Sequence, residues 1–314
     1  MLETFRVPPD AHRERLDRVA LGAFAAYPSR ASTRKAAKRG ELKVNGVPRR
    51  GVHWVDPGDL VERLQPEADR APPLRIPLQV VHEDDHLAVV VKPGGLATSG
   101  PLAATVVRAL PFNLTRSTAP DALVRPHPVH RLDAPTMGLL VVAKTAAAHM
   151  VLGAAFAERR VDKEYRALVT GRLEGAGELQ SPIDGRAAHT RYDVLEHARS
   201  LHTGWVTRVR LRPTTGRKHQ LRRHLHGAGH AVLGDRTYFG DKVLRGSGLY
   251  LFAVRLSLAH PQSGVPLCFE IPEPPKVASF LARETRRWDR KQENGERSMS
   301  CYRQVDLQRS RGDS

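Results

Sequence analysis

His130-Arg131-Leu132-Asp133 sets a carboxylate one or two turn steps from an arginine and a histidine. The stretch reads on as HRLDAPTMGLLVVAKT to Thr145. Pro135 and Gly138 mark a turn, and the apolar run Leu139 to Ala143 reads as a buried strand that anchors it. Further along, Thr214 to Gly240 reads TTGRKHQLRRHLHGAGHAVLGDRTYFG and is dense in cations. A carboxylate that can attack or take a proton needs a partner cation to keep it ionised and placed. An arginine does both, because its planar fork can hold a carboxylate by two parallel hydrogen bonds. His219, His224, His226 and His230 raise the question of zinc. Gly227 and Gly229 break the helix that would align His226 with His230, and no thiol or carboxylate ligand is evident, so no metal is expected.

The elements that must position these groups follow from pattern. Residues 12–64 read as a compact unit. A helix carries Leu16, Val19, Ala20, Ala23 and Phe24; Ser32 is placed to cap a second helix, Thr33 to Arg39, which carries Arg34, Lys35, Lys38 and Arg39. An alternating strand then meets the Asn45-Gly46 turn, and another strand follows Pro57-Gly58-Asp59. A Pro-rich, charged linker spans 66–77. Gln79 to Gly95 reads as strand, acidic turn, strand and tight loop, and that loop lacks the G-K-(S/T) ending of a phosphate cradle. Ala146 to Arg160 reads as a helix and Lys163 to Thr170 as a strand. Trp205, Thr207, Val209 and Leu211 alternate with Arg208 and Arg210, which gives that strand one cationic face. Leu221 and Leu225 mark the buried side of a short helix, and Leu249 to Ile271 a hairpin. Strands with inserted helices and no regular βαβ rhythm predict an α+β fold with a mixed, mainly antiparallel central sheet and flanking helices. From 286 to 314 the chain is polar and weakly periodic, and is expected to be a disordered basic tail.

The chain has 314 residues, a formal net charge of +17 and a sequence pI of about 10.6. That balance predicts an anionic partner, and nucleic acid is the usual one. Cys268 and Cys301 form no C-x-x-C, so neither a disulfide framework nor a thiolate site is expected. The first residues lack the order of a signal peptide, and no apolar run approaches a membrane span. A soluble, cytoplasmic monomer is the expectation.

The two motifs together resemble the RluA-type pseudouridine synthases, enzymes that isomerise uridine in RNA. The family pattern runs H-R-L-D-x-x-T-S-G…A-K, then K-x-Y, then G-R-x-H-Q-(I/L)-R-x-H-L, then G-H-x-(I/V)-x-G-D. This chain keeps nearly all of it over roughly residues 76–275. It departs at Met137, where the family has serine, and at Ala231, where proline is usual. The resemblance implies a pseudouridine synthase-like catalytic domain over 68–285, no cofactor, and ribosomal or transfer RNA as partner. It implies Asp133 as the catalytic carboxylate and Arg217, from G-R-x-H-Q, as its cation. Tyr165 would stack on the uracil and serve in proton transfer from C5. Arg131 would fill the gap left by a flipped nucleotide or hold the flanking phosphates, with His130 and Lys163 as further RNA contacts. Residues 1–67 resemble a small RNA-binding module of the S-four-like type, which implies that Arg34, Lys35, Lys38 and Arg39 grip RNA. Two other readings compete. One is a non-catalytic RNA-binding or ribosome-assembly factor with the same fold, against which the intact Asp133, Tyr165 and Arg217 speak. The other is a glycosidase, which needs two carboxylates where the second motif offers mainly cations.

Overall fold

In the computed structural model the described residues are 3–24, 27, 29–50, 52–64, 72–239 and 248–309, those from 295 onward as backbone only. Half of the linker read at 66–77, residues 66–71, lies outside them. The chain falls into two compact units. One comprises Met1–Leu132, Leu140–Arg160 and Leu258–Leu267; the other comprises Asp133–Leu139, Val161–Ser257 and Cys268–Ser314.

Within the first unit, residues 3–64 close on a core of their own. Strands β1 (Glu3–Arg6), β2 (Glu14–Arg15), β3 (Leu42–Val44), β4 (Val47–Pro48), β5 (Trp54–Val55) and β6 (Leu60–Arg63) accompany helices α1 (Leu16–Ala23) and α2 (Arg30–Arg39). The order β1-β6-β3-β4 is antiparallel throughout. Leu16 and Ala20, one helical turn apart, pack with Phe24, Ala36, Leu42, Val44, Val55 and Val61. Asn45 and Gly46 take φ of 51° and 79°, the left-handed pair that lets a two-residue hairpin follow the strand twist. Ser29, not Ser32, caps α2. Its side chain accepts from the Ser32 amide, and the Ser32 hydroxyl answers the Ser29 amide, so the predicted cap sits three residues inside the helix. Buried Asp17 ties the two helices: Arg15 Nε lies 2.9 Å and Arg34 Nε 2.8 Å from its carboxylate, and Arg30 Nη2 3.3 Å. Burial pushes its carboxyl up, but the three guanidiniums outweigh that and hold it at about 2.

The rest of this unit contains β7 (Gln79–Glu83), β8 (Leu87–Lys92), α3 (Val106–Asn113), β9 (Ala122–Pro128), most of β10 (Met137–Thr145) and α4 (Ala146–Ala157). Lys92 is fully buried and donates to the carbonyls of Pro93 and Leu96 at 2.8 and 2.7 Å, so it braces its own loop.

The second unit contains β11 (Asp162–Thr170), β12 (Ala176–Leu179), β13 (Thr190–Ser200), β14 (Gly204–Pro213), α5 (Gln220–Gly227), most of β15 (Leu251–Ala259) and of β16 (Pro266–Glu270), and α6 (Lys276–Arg309). Neighbours in the order β12-β13-β14-β11-β15 are antiparallel; Met137 and Gly138 of β10 run parallel to Phe252 and Ala253. Strand parity sorts the side chains. Ala167, Val169, Val209 and Leu211 meet Leu221 and Leu225 of α5 on one face. Leu168, Val206 and Val254 meet Val277, Phe280 and Leu281 of α6 on the other.

Two expectations are corrected here. The cationic face of β14 is an ion-paired array: Arg208 meets Glu273 at 2.6 Å, Arg210 meets Glu164 at 3.4 Å, and Arg212 meets Glu164 and Asp193 at 3.2 and 3.1 Å. Residues 286–309, expected as a disordered tail, continue the helix that starts at Lys276. The first turns are fixed by Val277, Phe280, Leu281 and the fully buried Glu284, which accepts from Ser200 Oγ at 2.7 Å. Once a helix is nucleated by such packing, a proline-free stretch rich in Arg, Gln, Glu and Lys propagates it.

Candidate active site

Asp133 opens a tight turn, in which the Thr136 amide donates to its carbonyl at 3.0 Å. The residue before it is fixed too: Leu132 is buried, and its backbone N–H and C=O both bond Thr98 Oγ1, at 3.2 and 2.9 Å. After the turn, Gly138 has φ of +135°, and a Cβ there would lie 2.2 Å from the Ala253 carbonyl oxygen. Only glycine lets β10 approach β15 this closely. Gly138→Ala is expected to destabilise by about 1–3 kcal/mol through overpacking and to shift the Asp133 turn. Thermal unfolding and turnover measured together check this; a variant with unchanged melting temperature and rate contradicts it.

The carboxylate of Asp133 faces α5 and its entry. Arg222 Nη1 lies 3.4 Å from Asp133 Oδ2, and His219 Nε2 lies 3.8 Å from Oδ1. Arg222 is buried on α5 beside the Leu221–Leu225 stripe, with its fork turned to Asp235. Nε and Nη2 donate to the two carboxylate oxygens at 2.6 and 2.7 Å, and the Asp235 carboxylate is 1% exposed. Burial works against the Arg222 charge, but the hydrogen bonds and charge of Asp235 overcome it, so the guanidinium is held above its ordinary range. Gly234 makes the Asp235 turn possible: its φ is +76°, and a Cβ would sit 1.9 Å from the Gly248 carbonyl. Tyr238 completes the surround, with its hydroxyl 3.0 Å from His219 Nδ1 and its ring 5.0 Å from the Arg222 guanidinium. Burial holds the His219 imidazole below its ordinary range, so it is neutral at pH 7 and Arg222 is the site's cation.

Tyr165 lies on β11 on the same face as α5. Burial first, then the neighbouring Asp133 charge, push its phenol up, so it keeps its proton at neutral pH. A ring platform and an O–H donor are available.

Arg217 is the correction. It does not pair with Asp133: its Nε donates to the Ala187 carbonyl at 3.0 Å and its amide to Gln220 Oε1 at 3.0 Å. The helix begins at Gln220, after His219 in the left-handed region (φ 55°), so Arg217 stays in the loop before it. Gln220 is buried and binds four groups: Thr215 Oγ1, the Arg217 amide, the His189 carbonyl and Thr190 Oγ1. His224 bonds Thr190 Oγ1 and the Ser181 carbonyl, both at 3.0 Å, and His230 the Thr170 carbonyl at 2.8 Å.

Of the residues expected to touch RNA, Arg131 is exposed. His130 is built into the scaffold instead: Val141 N–H donates to its Nε2 at 3.0 Å, and its ring stacks on Phe156 at 4.3 Å. Lys163 is half-buried on β11 opposite Leu256. Sequence reasoning missed Arg222, Asp235, His219 and Tyr238.

The family model described as RNA pseudouridylate synthase matches residues 86–227. An RNA pseudouridine synthase of Aquifex aeolicus is 33% identical over 310 residues, covering 89% of this chain and 96% of its own. Ribosomal large subunit pseudouridine synthase D of Vibrio parahaemolyticus is 33% identical over 303 residues, covering 85% and 90%. Among solved structures, human RNA pseudouridylate synthase domain containing 1 superposes with a TM-score of 0.54 at 27% identity, covering 66% of this chain and 89% of that one. With a third of its residues shared over nearly the full length of such relatives, this chain belongs to the RNA pseudouridine synthase family.

Proposed function

We propose that this enzyme isomerises uridine in ribosomal RNA with Asp133 as its reacting carboxylate. The carrying observation is the chain Asp235–Arg222–Asp133, in which a buried carboxylate fixes the arginine that faces the reactive one. Relatives named for the large ribosomal subunit support ribosomal RNA as the substrate, and work on that RNA fits a cytoplasmic protein. Among the described residues no helix is long and apolar enough to cross a membrane. In the reaction the N1–C1′ bond breaks, the uracil turns, and C5 joins C1′. A proton leaves C5 and one is gained at N1, so nothing is added or lost. Asp133 either attacks or takes a proton, Arg222 orients it, and the Tyr165 ring holds the free uracil. Arg131, exposed two residues before Asp133, fills the space of the flipped nucleotide.

Pseudouridine mapping of ribosomal and transfer RNA from cells lacking the protein tests this. Ribosomal sites should be lost and be restored by wild type but not by Asp133→Asn. Loss confined to transfer RNA would move the substrate there. Restoration by the asparagine variant would remove Asp133 from the chemistry, and no lost site would favour an assembly factor.

Residues 1–67 serve, in this reading, as an S-four-like grip on RNA. The four cations of α2 are all exposed, but Arg34 is tied to Asp17 and Arg39 to Glu41 (Nη2–Oε2 2.8 Å). Lys35 and Lys38 are therefore the expected phosphate contacts. Replacing both by alanine should flatten the slope of log affinity against log salt by up to about 1.4, at about 0.7 per contact with single strands. An unchanged slope in a folded variant would remove α2 from the RNA interface.

A further inference from the structure

We infer that the tip of the β13–β14 hairpin, together with α6, is a second RNA contact that receives an unpaired stretch flanking the target uridine. This rests on RNA being the substrate, as proposed above. Five side chains form a cluster of cations and rings there. The Arg199 guanidinium carbon lies 3.7 Å from the Trp205 ring centre and 5.1 Å from that of Trp288 on α6. The Arg172 guanidinium carbon lies 4.7 Å from the Trp205 ring centre, and the His197 ring meets Trp205 edge-on at 6.2 Å. Both arginines are exposed and both indoles half-exposed. Among the described residues Arg199 has no ion pair; Arg172 pairs with Glu174 at 2.8 Å, and Glu174 also lies 3.9 Å from His197.

The strand register aims this cluster. Tyr165 pairs with Leu211, Ala167 with Val209 and Val169 with Thr207, so these residues share one face. Trp205 follows in the same alternation, and Arg199 pairs with it across the hairpin. The Trp205 indole thus lies on the face of the sheet that carries Tyr165, six residues along β14 from its partner Leu211, or about 20 Å, while Arg199 at the hairpin end also contacts Trp288 of α6, which packs on the other face. An RNA with its uridine at Asp133 has flanking nucleotides that can span that length. Neighbouring guanidinium and indole groups suit them: every base has a face to stack, whatever the sequence, and arginine adds a charge for the phosphate.

The test is steady-state turnover, read as tritium release from C5-labelled uridine, on a long ribosomal fragment and on a short stem-loop lacking the flank. For Arg199→Ala the KM on the long fragment should rise at least about fivefold with kcat unchanged, since one stacked base is lost. The salt slope of binding should fall by about 0.7. The short substrate should show no difference. Arg199→Lys should keep the salt slope and recover only part of the KM. Arg172→Ala, at an exposed position, should raise KM in the same direction, and keeps the test open if the Arg199 variants do not fold. Wild-type KM and slope in folded Arg199→Ala and Arg172→Ala would overturn the inference. So would a lowered melting temperature with unchanged KM, which would make the cluster only a clasp for α6. Failure of the wild type to turn over either RNA would instead overturn the substrate reading.

Discussion

Asp133→Asn is expected to abolish isomerisation while leaving the fold and RNA binding in place. The substitution keeps the side chain's shape and removes the negative charge and the reactive oxygen. Losing a positioned acid–base group alone lowers rates by about 10²–10⁴-fold, and losing an attacking oxygen leaves no route at all. The fold should survive because Arg222 keeps its two short bonds to Asp235, so no buried cation is stranded. Tritium release from C5, filter binding of the RNA and thermal unfolding form the set of measurements. Wild-type-like release would sink the assignment. A large loss of RNA affinity would show that Asp133 acts in binding.

The second large effect is expected at Arg222. Arg222→Ala leaves Asp235, whose carboxylate is 1% exposed, without its cation, and leaves Asp133 without orientation. Removing one partner of a buried pair costs about 3–5 kcal/mol, so the melting temperature should drop sharply and turnover should vanish. A paired change separates the two losses. Arg222→Met with Asp235→Leu replaces the buried pair by apolar groups of similar size, and should recover much of the stability but none of the activity. Activity in the double variant would mean that Asp133 needs no cation. Arg217→Ala, by contrast, removes a half-buried guanidinium that bonds a carbonyl, and should cost about 1 kcal/mol. An Arg217→Ala variant as damaged as Arg222→Ala would restore the pairing expected from the motif.

That contrast marks where the sequence was readable. Asp133 was legible because its neighbours are contiguous: an acid in a Pro/Gly turn ahead of an apolar strand points to a loop on a rigid support. The helix–turn–strand order of residues 12–64, the hairpin at 45–46 and the one between Leu249 and Ile271 were legible from period and turn residues. Arg222 was not, because Arg217, Arg222 and Arg223 lie within seven positions, and choosing among them depends on where the helix starts. His219 in the left-handed region sets that start. A signal was present, however. Leu221 and Leu225 define the buried stripe, residue 222 falls beside it, and a buried arginine demands a carboxylate. Asp235, behind Gly234, was the candidate. The ion pairs that neutralise β14 were hidden because their acids come from other segments, Glu164, Asp193 and Glu273. The end of the chain was misjudged because its order depends on Val277, Phe280 and Leu281 finding the sheet, a long-range event that local polarity does not record.

The unequal division of Arg222 between two carboxylates has a consequence for the course of the reaction. In the proposed reaction, whether Asp133 becomes an ester or a protonated acid, its negative charge disappears during the step. A cation that leaned on Asp133 alone would then be stranded in a poorly solvated pocket, and its solvation penalty would be added to the intermediate. Arg222 is instead already neutralised by Asp235 through its two shortest bonds, with the 3.4 Å contact to Asp133 as a surplus. The pocket therefore passes from a net charge of −1 to zero, and at no stage holds an uncompensated positive charge. The weaker grip falls on the carboxylate proposed to react, and the stronger on the buried one behind it.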